Sequence, residues 1–470
     1  MEIRGEYEDA DLGDKRLDHR LVRLAEQLAK APGTSFPKAT TSDSELEATY
    51  RFLGNDRVTP EEIMMPHVRR TLARMEEQAA PVVVAHDTTE FNFGASGRED
   101  LGQVGRGKSF GFYGHFALAV ARDERRTPLG GLGFSTYKRA GGKGRRGHSE
   151  LQASEDNEGR RWGDLVEEVE KTVGEIPIIH VMDREADAYA LLASMVAGER
   201  RFVVRSASGK RKLAGGDGDL SVSDVLSAAT TVAKRTVPLS ARKANKLPSY
   251  RKHHPPRRAR EAELSVTCQT VTLRRPDSAN ACKTPTLTLN LVRVFEPSPP
   301  DGELPVEWRL WTTEPVQTAA QALEVVDAYR CRWVIEEYFR ALKSGCDFEG
   351  RQLESMHTLL NALALFVPIA WRLLALRTLA REASKSAASK VLTPSLLHCL
   401  SFLLRHHKRP DLPHNPTARD ALLGIAGLGG HITNNGDPGW IVLGRGMDTL
   451  LSAHLGYLAA REERKDDHGR

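Results

Sequence analysis

Hydrophobic positions along the chain fall into blocks of different period, and each block predicts a different kind of element. Over residues 10 to 78 the spacing is helical. Leu17, Leu21, Leu24 and Leu28 repeat every three to four residues, and Pro32-Gly33 ends that element. Ser42 and Glu45 have the spacing of a capping box ahead of a helix that carries Leu46, Tyr50 and Leu53. Thr59-Pro60-Glu61-Glu62 is a second start signal, with proline at the first helical position and an acid three residues past the cap.

From Pro81 the period changes. Val82 to His86 predicts a short buried strand that ends at Asp87-Thr88-Thr89, and strand-like runs follow around Phe112 to Ala121 and Thr127 to Tyr137. A helix with Trp162, Leu165 and Val169 precedes a second buried strand, Ile176 to Met182, which ends in Asp183-Arg184-Glu185-Ala186-Asp187. A helix over Ala188 to Val196 and a strand over Arg201 to Arg205 complete an α/β layer. In this reading Asp87 and Asp183 both end buried strands, where open α/β sheets place their sites. Residues 206–307 alternate basic loops with strand-like stretches such as Leu264 to Leu273 and Leu287 to Val294, a β-rich insertion, and the core resumes at Trp308. After Gly350 the pattern is helical from about Leu353 to Arg381 and from about Thr449 to Arg461, with a loop over Ala383 to Lys390 and a frayed charged tail. The expected divisions are an N-terminal helical domain (1–78), an α/β domain with the insertion at about 206–307 (79–350) and a C-terminal helical region (351–470).

Tyr329 to Lys343 predicts one helix of particular interest. At about 100° per residue, Tyr329, Arg332, Glu336, Arg340 and Lys343 fall within a sector of roughly 80°. Val334, Tyr338, Ala341 and Leu342 lie opposite, with Phe339 at the boundary. One face packs on a core while the other presents a carboxylate among cations, which suits metal-assisted chemistry on a polyanion.

The chain has 470 residues, enough for several domains, and its net charge of +5 is too small to single out a nucleic-acid binder. The distribution says more. Basic clusters recur at Arg139 to Arg146, Lys210 to Lys212 and Arg242 to Arg260, either phosphate-binding loops or solvated ones. Arg16, Arg20, Arg23 and Lys30 give the first helix a basic character suited to reading a DNA end. Five widely spaced cysteines form no CxxC pair, which argues against a disulfide framework and a zinc ribbon. His253-His254 and His406-His407 lack partners at zinc spacing and read as basic or surface loops. No run of about 18 apolar residues predicts a membrane span. The acidic N-terminus lacks the features of a signal peptide, so a cytoplasmic, nucleoid-associated protein is expected. The absence of a G-x-S-x-G elbow, a Walker A loop and a GxGxxG turn disfavours serine hydrolase, NTPase and Rossmann readings.

Three carboxylates remain: Asp87, Asp183 and Glu336. Such acids could hold two divalent ions and position a water or a 3′-hydroxyl for in-line attack on a phosphodiester. Asp183 has a rival in Asp187, although Glu185 and Asp187 read as helix-start charges. Glu337, the neighbour of Glu336, points about 100° away from the centre of the cationic stripe.

Asp87-Thr-Thr, Asp183-Arg-Glu-Ala-Asp, Arg201-Phe-Val-Val-Arg-Ser and Thr313-Glu-Pro-Val occur in that order with Tyr329-(2)-Arg332-(3)-Glu336-(6)-Lys343. Tyr50-Arg-Phe-Leu lies near one end and Gly427-Leu-Gly-Gly near the other. Together they resemble the DDE-type bacterial transposases of insertion-sequence family four over nearly the whole chain. The resemblance implies an α/β, RNase H-like catalytic core interrupted by a β-rich insertion, with an N-terminal end-binding domain and a C-terminal helical dimerisation region. It implies cut-and-paste transposition through strand nicking, hairpin formation, hairpin opening and strand transfer. The implied cofactor is Mg²⁺, as two ions with Mn²⁺ as substitute. The implied partners are double-stranded DNA, namely terminal inverted repeats and target, and a second copy of the chain. Asp87, Asp183 and Glu336 match the metal-binding triad, and Tyr329, Arg332 and Lys343 the phosphate contacts. Arg340 stands where some relatives carry lysine, a point charge in place of a planar fork. Arg205 aligns with an arginine near the active site. Trp308 matches an aromatic that stacks on a flipped base, with Trp311 and Trp333 as rivals. A structure-selective nuclease and a catalytically inactive DNA-binding derivative are the alternative functions.

Overall fold

The computed structural model describes residues 3–30, 32–94, 98–105, 109–138, 158–215, 220–242, 255–382, 386–390, 392–432 and 437–467. The cluster Arg139 to Arg146 and the histidines His253-His254 lie outside them, as do residues 243–254 of the third basic cluster.

The N-terminal pattern becomes four helices: α1 (Lys15–Lys30), α2 (Phe36–Ala39), α3 (Asp43–Leu53) and α4 (Pro60–Glu76). Leu21, Leu24 and Leu28 are buried, so the predicted apolar stripe of α1 faces a core. The two start signals differ in detail. Thr59 and Glu62 form a complete capping box. Ser42 accepts from the Glu45 N–H, but the Glu45 carboxylate turns instead to the N–H and hydroxyl of Thr41 and to Gln27 and Arg23, so that box is half-made.

Among the described residues ten strands form one mixed sheet: β1 (Val82–Asn92), β2 (Gly102–Val104), β3 (Ser109–Val120), β4 (Pro128–Tyr137), β5 (Ile178–Met182), β6 (Phe202–Arg205), β7 (Thr231–Leu239), β8 (Arg260–Arg274), β9 (Thr286–Phe295) and β10 (Glu307–Thr312). The order is β2-β3-β1-β5-β6-β10-β9-β8-β7, with β4 also paired to β3. β1, β5 and β6 run parallel; the other pairings are antiparallel. The insertion is thus a continuation of the same sheet: β10 returns beside β6 and carries β9, β8 and β7 outward with it. Among its described residues it also holds the α-helix Val222–Ala228 and a 3-10 turn over Asp277–Ala279.

Asp87 does not end a strand. β1 runs on to Asn92, because after its parallel pairing with β5 stops at Ala85 it stays paired to β3, with Asp87 opposite Phe116. The antiparallel partner satisfies the backbone that the parallel partner has left. Val82 to Ala85 are fully buried since helices cover both faces there. On one side Val83 and Ala85 join a core with the helices after β10. On the other Val82 and Val84 pack with Leu165 and Val169 of α5 (Glu158–Val173).

The helix predicted over Tyr329 to Lys343 is three pieces. α6 (Tyr189–Ala197) precedes β6. After β10 come α7 (Ala319–Cys331) and α8 (Trp333–Arg340), joined at Arg332, and then a π turn over Ala341–Gly345. The π turn shifts the angular phase of Lys343 relative to Glu336, whereas Arg332, Glu336 and Arg340 keep their i,i+4 spacing along α8. The C-terminal region holds α9 (Met356–Glu382), α10 (Pro394–His406), α11 (Ala418–Leu428) and α12 (Trp440–Asp467), of which α10 and α11 carried no clear sequence signal. Met356 to Ala380 of α9 is long and apolar enough to cross a membrane, contrary to expectation. In the fold 83% of its most apolar window is buried, since it packs among α3, α4 and β4 as a central core helix.

Candidate active site

Parallel pairing brings the first two carboxylates level. β1 and β5 pair with Ala85 opposite Val181, so two residues further on Asp87, within β1, and Asp183, just past the end of β5, stand at the same height. α8 packs against β1 and supplies the third. Arg332, at the joint between α7 and α8, donates to Asp87 Oδ2 at 2.9 Å and to Glu336 Oε1 at 2.6 Å, tying the two acids through one guanidinium.

The electrostatics follow from this crowding. Burial pushes the Asp87 carboxyl up to about 7 against the pull of Arg332, with the charges of Asp183 and Glu336 adding to the rise and the Thr88 N–H opposing it. Arg332 loses solvation but gains Tyr329, Asp87 and Glu336 as neighbours, and its charge is held more firmly than an ordinary arginine's. Asp183 accepts the Glu185 N–H at 2.7 Å with one oxygen, capping a single 3-10 turn.

The rivals are engaged elsewhere. Asp187 is not a helix-start charge. It pairs with Arg211 at 2.8 Å and accepts the Ala207 N–H at 2.7 Å, pinning the chain after β6. Glu337 binds Arg340 at 2.7 Å, Arg377 at 2.7 Å and the Trp440 indole N–H at 3.3 Å, on the side of α8 that faces α9 and α12.

The expected phosphate contacts divide. Tyr329 is buried, and burial raises its hydroxyl above the usual range while Arg332 and Arg205 draw it back. Arg205 on β6 thus stands at the Tyr329 hydroxyl. Lys343 turns inward, donating to the Glu90 carbonyl and pairing with Glu349 at 3.5 Å. Arg340 is exposed and held by Glu337, away from the carboxylates. Trp308 is half-buried and meets the Tyr329 ring edge-on at 5.4 Å. Of its rivals, Trp311 is wholly buried, whereas Trp333 is 54% exposed beside Arg332. Behind β1, on the face opposite Asp87, a row of buried histidines (His86, His115 and His180) escaped the sequence reading. His86 adjoins the Asp87 motif, but nothing in the spacing announces its two partners.

Among the described residues, no three His, Cys, Asp or Glu side chains form a ready-made metal cage. The donor chemistry of Asp87, Asp183 and Glu336 nevertheless fits a hard divalent ion. All three offer oxygen, and together with burial their mutual repulsion favours a cation among them. The Arg332 guanidinium supplies that positive charge between Asp87 and Glu336, so an ion bound by both acids requires Arg332 to swing aside.

Two family models match this chain. Residues 3–58 match the transposase DNA-binding model and residues 150–367 the transposase DDE domain model. The two matches support a DDE-type transposase. The DDE match spans Asp183 and Glu336 but not Asp87, which joins the other two through the β1–β5 register and Arg332. Such domains carry nuclease and transesterase chemistry and normally use divalent metals, and the N-terminal match points to DNA as partner. A piggyBac transposase synaptic complex with hairpin DNA is also similar, at 11% identity over 81% of this chain and 72% of that one. Its TM-score of 0.35 is too low to establish a shared fold.

Proposed function

We propose that this chain is a cut-and-paste DNA transposase whose metal ligands are Asp87, Asp183 and Glu336. The observation that carries the reading is the level placement of Asp87 and Asp183 on neighbouring parallel strands, with Glu336 joined to Asp87 through Arg332. The strand order β4-β3-β1-β5-β6, three antiparallel strands followed by two parallel ones, supports an RNase H-like core.

Two Mg²⁺ ions, or Mn²⁺ in their place, supply Lewis-acid stabilisation of phosphoryl charge and lower the pKa of an attacking water. The protein's part is positional. The three acids would hold the ions in place, and the nucleophile is water in the nicking step and a 3′-hydroxyl in hairpin formation and strand transfer. Arg332, released from Asp87 and Glu336, has a planar fork matched to phosphate oxygens, and the Tyr329 hydroxyl beside Arg205 offers a further hydrogen bond. Lys343 reaches the same DNA only by leaving Glu90 and Glu349. Residues 1–78 bind the transposon end, and two copies of the chain act on two ends.

The test is incubation with Mg²⁺ and a supercoiled donor carrying the inverted repeats that flank the reading frame. Hairpin-ended intermediates and insertions are expected. Nicks without either would indicate a structure-selective nuclease, and binding without metal-dependent cleavage an inactive derivative. Glu336→Gln is expected to cost several kcal/mol of transition-state stabilisation, on the order of a thousandfold in cleavage, while end binding persists. Cleavage that survives this change overturns the triad.

A further inference from the structure

His86, His115 and His180 are at most 1% exposed, and the proposed chemistry uses none of them. They lie on the α5 side of the sheet. Strand alternation sends His86 and Thr88 to that side and Asp87 to the other. His86 and His180, which is level with Val84, meet diagonally across the parallel β1–β5 pair with Nε2 to Nδ1 at 2.9 Å. The far nitrogen of His180 lies 2.9 Å from Glu170 Oε1, and Glu170 Oε2 pairs with Arg200 at 2.8 Å.

With both imidazoles neutral, this chain of contacts takes a single set of protons. The hydrogen bond from His180 holds the Glu170 carboxyl below its usual range, so it accepts, and His180 Nε2–H donates. His180 Nδ1 is then an acceptor, and His86 Nε2–H must be its donor. His86 is neutral, because burial and the neighbouring imidazoles push its pKa far down. On the other flank of Asp87, His115 Nδ1 lies 2.9 Å from Thr88 Oγ1, and its ring packs on Trp162 with centroids 4.3 Å apart.

The location gives the contact its purpose. Backbone pairing between β1 and β5 ends at Ala85 and Val181, and the two acids stand two residues beyond it. Past that point β1 is still held by β3, but no ladder bond holds it to β5. We propose that the His86–His180 hydrogen bond is a positioning clamp that sets the separation of Asp87 and Asp183, and so the divalent-metal affinity of the site. A buried polar pair resists separation because parting it would leave two more polar atoms unpaired, beside His86 Nδ1, which already has no hydrogen-bond partner. Glu170 and Arg200 orient the clamp from the protein edge.

The inference rests on Asp87 and Asp183 being metal ligands, so the experiment separates the two ideas. Mn²⁺ binding to the full-length protein is measured by electron paramagnetic resonance titration, with thermal unfolding in chelator as the control for folding. Asp87→Asn tests the ligand reading. Parental Mn²⁺ affinity in that variant removes the reading, and the clamp with it. Given loss in Asp87→Asn, His86→Leu and His180→Leu should each weaken Mn²⁺ binding by about 10- to 100-fold, the range seen when groups that orient ligands are lost. The double variant should be no weaker than the poorer single one, since both break the same bond. His86→Gln keeps an N–H near the position of Nε2 and should restore affinity; His86→Asn falls short and should not. The Gln and Asn pair decides the matter if the leucine variants fail to fold. Parental affinity in His86→Leu, or equal loss in His86→Gln and His86→Asn, overturns the clamp while leaving the ligand reading standing.

Discussion

Arg332 faces two demands that one side chain cannot meet at once. It neutralises Asp87 and Glu336, and in the proposed reaction it binds a DNA phosphate. The first contact gives way to the second once another cation occupies the acids. Arg332→Ala should therefore tighten Mn²⁺ binding in the absence of DNA, on the order of tenfold for about 1.4 kcal/mol of relieved competition, while cleavage falls. A calorimetric titration checks this, and weaker binding would sink it. Trp308 is a different case. It forms one wall of an apolar recess with Val237, Leu264, Val294 and Leu323, and its ring edge rests on Tyr329. Trp308→Ala should slow hairpin formation more than first-strand nicking in a time course on labelled ends. Equal slowing of both steps counts against base stacking.

At the scale of elements, the joint at Arg332 and the π turn after Arg340 decide which residues reach the site. A continuous helix would have aligned Lys343 with Glu336. The π turn instead sends Lys343 to β1, while Arg340, in the same intact helix as Glu336, pairs with Glu337 three residues back. What fixes the rotation of α8 is Glu337, bound to α9 through Arg377 and to α12 through Trp440. Glu337→Ala should destabilise the protein by about 1–3 kcal/mol, the cost of buried partners losing an ionic hydrogen bond. It should also lower cleavage, with Glu337→Gln intermediate in both. Thermal unfolding together with the cleavage assay tests this, and an alanine variant equal to the parent in both would refute it. Helical phase at 100° per residue separates Glu336 from Glu337 because they are adjacent within one intact turn. Over the fifteen residues from Tyr329 to Lys343 the same arithmetic fails, because irregularities intervene.

At the scale of the molecule, one buried cluster runs from Ile3 through the N-terminal helices, β1, β3 and α9 to Trp440. The N-terminal segment is therefore built into the catalytic core. The Tyr7 hydroxyl donates to the Leu365 carbonyl at 2.8 Å, and Arg351 donates to the Pro32 carbonyl at 2.6 Å. Glu6 is the ionic anchor of this seam. Burial alone would raise its carboxyl, but the hydrogen bond from His67 at 2.6 Å and the pairing with Arg74 outweigh it and hold the pKa at about 2. A depressed carboxylate contributes stability above its unfolded value of 4.5, and that stability is lost as pH falls towards 2. Glu6→Gln should cost about 3 kcal/mol at pH 7, with the gap to the parent narrowing as pH falls below 4.5. Urea unfolding across that range measures it, and a pH-independent difference would count against the ion pair.

The helical period of residues 10 to 78, the apolar runs at Val82 and Ile178 and the motifs around Asp87, Asp183 and Glu336 were legible in the sequence, because each is a local pattern of spacing and chemistry. The path of α9 was less so, since apolar length is the same for a membrane span and a core helix and only burial against neighbours separates them. The tertiary structure alone decided that β3 carries β1 past Asp87, that the insertion extends the sheet, and that Arg332 joins two of the acids. It alone brings His180 to His86. Each of these depends on residues distant in the chain meeting across strands, and no local period or spacing encodes a partner that far away.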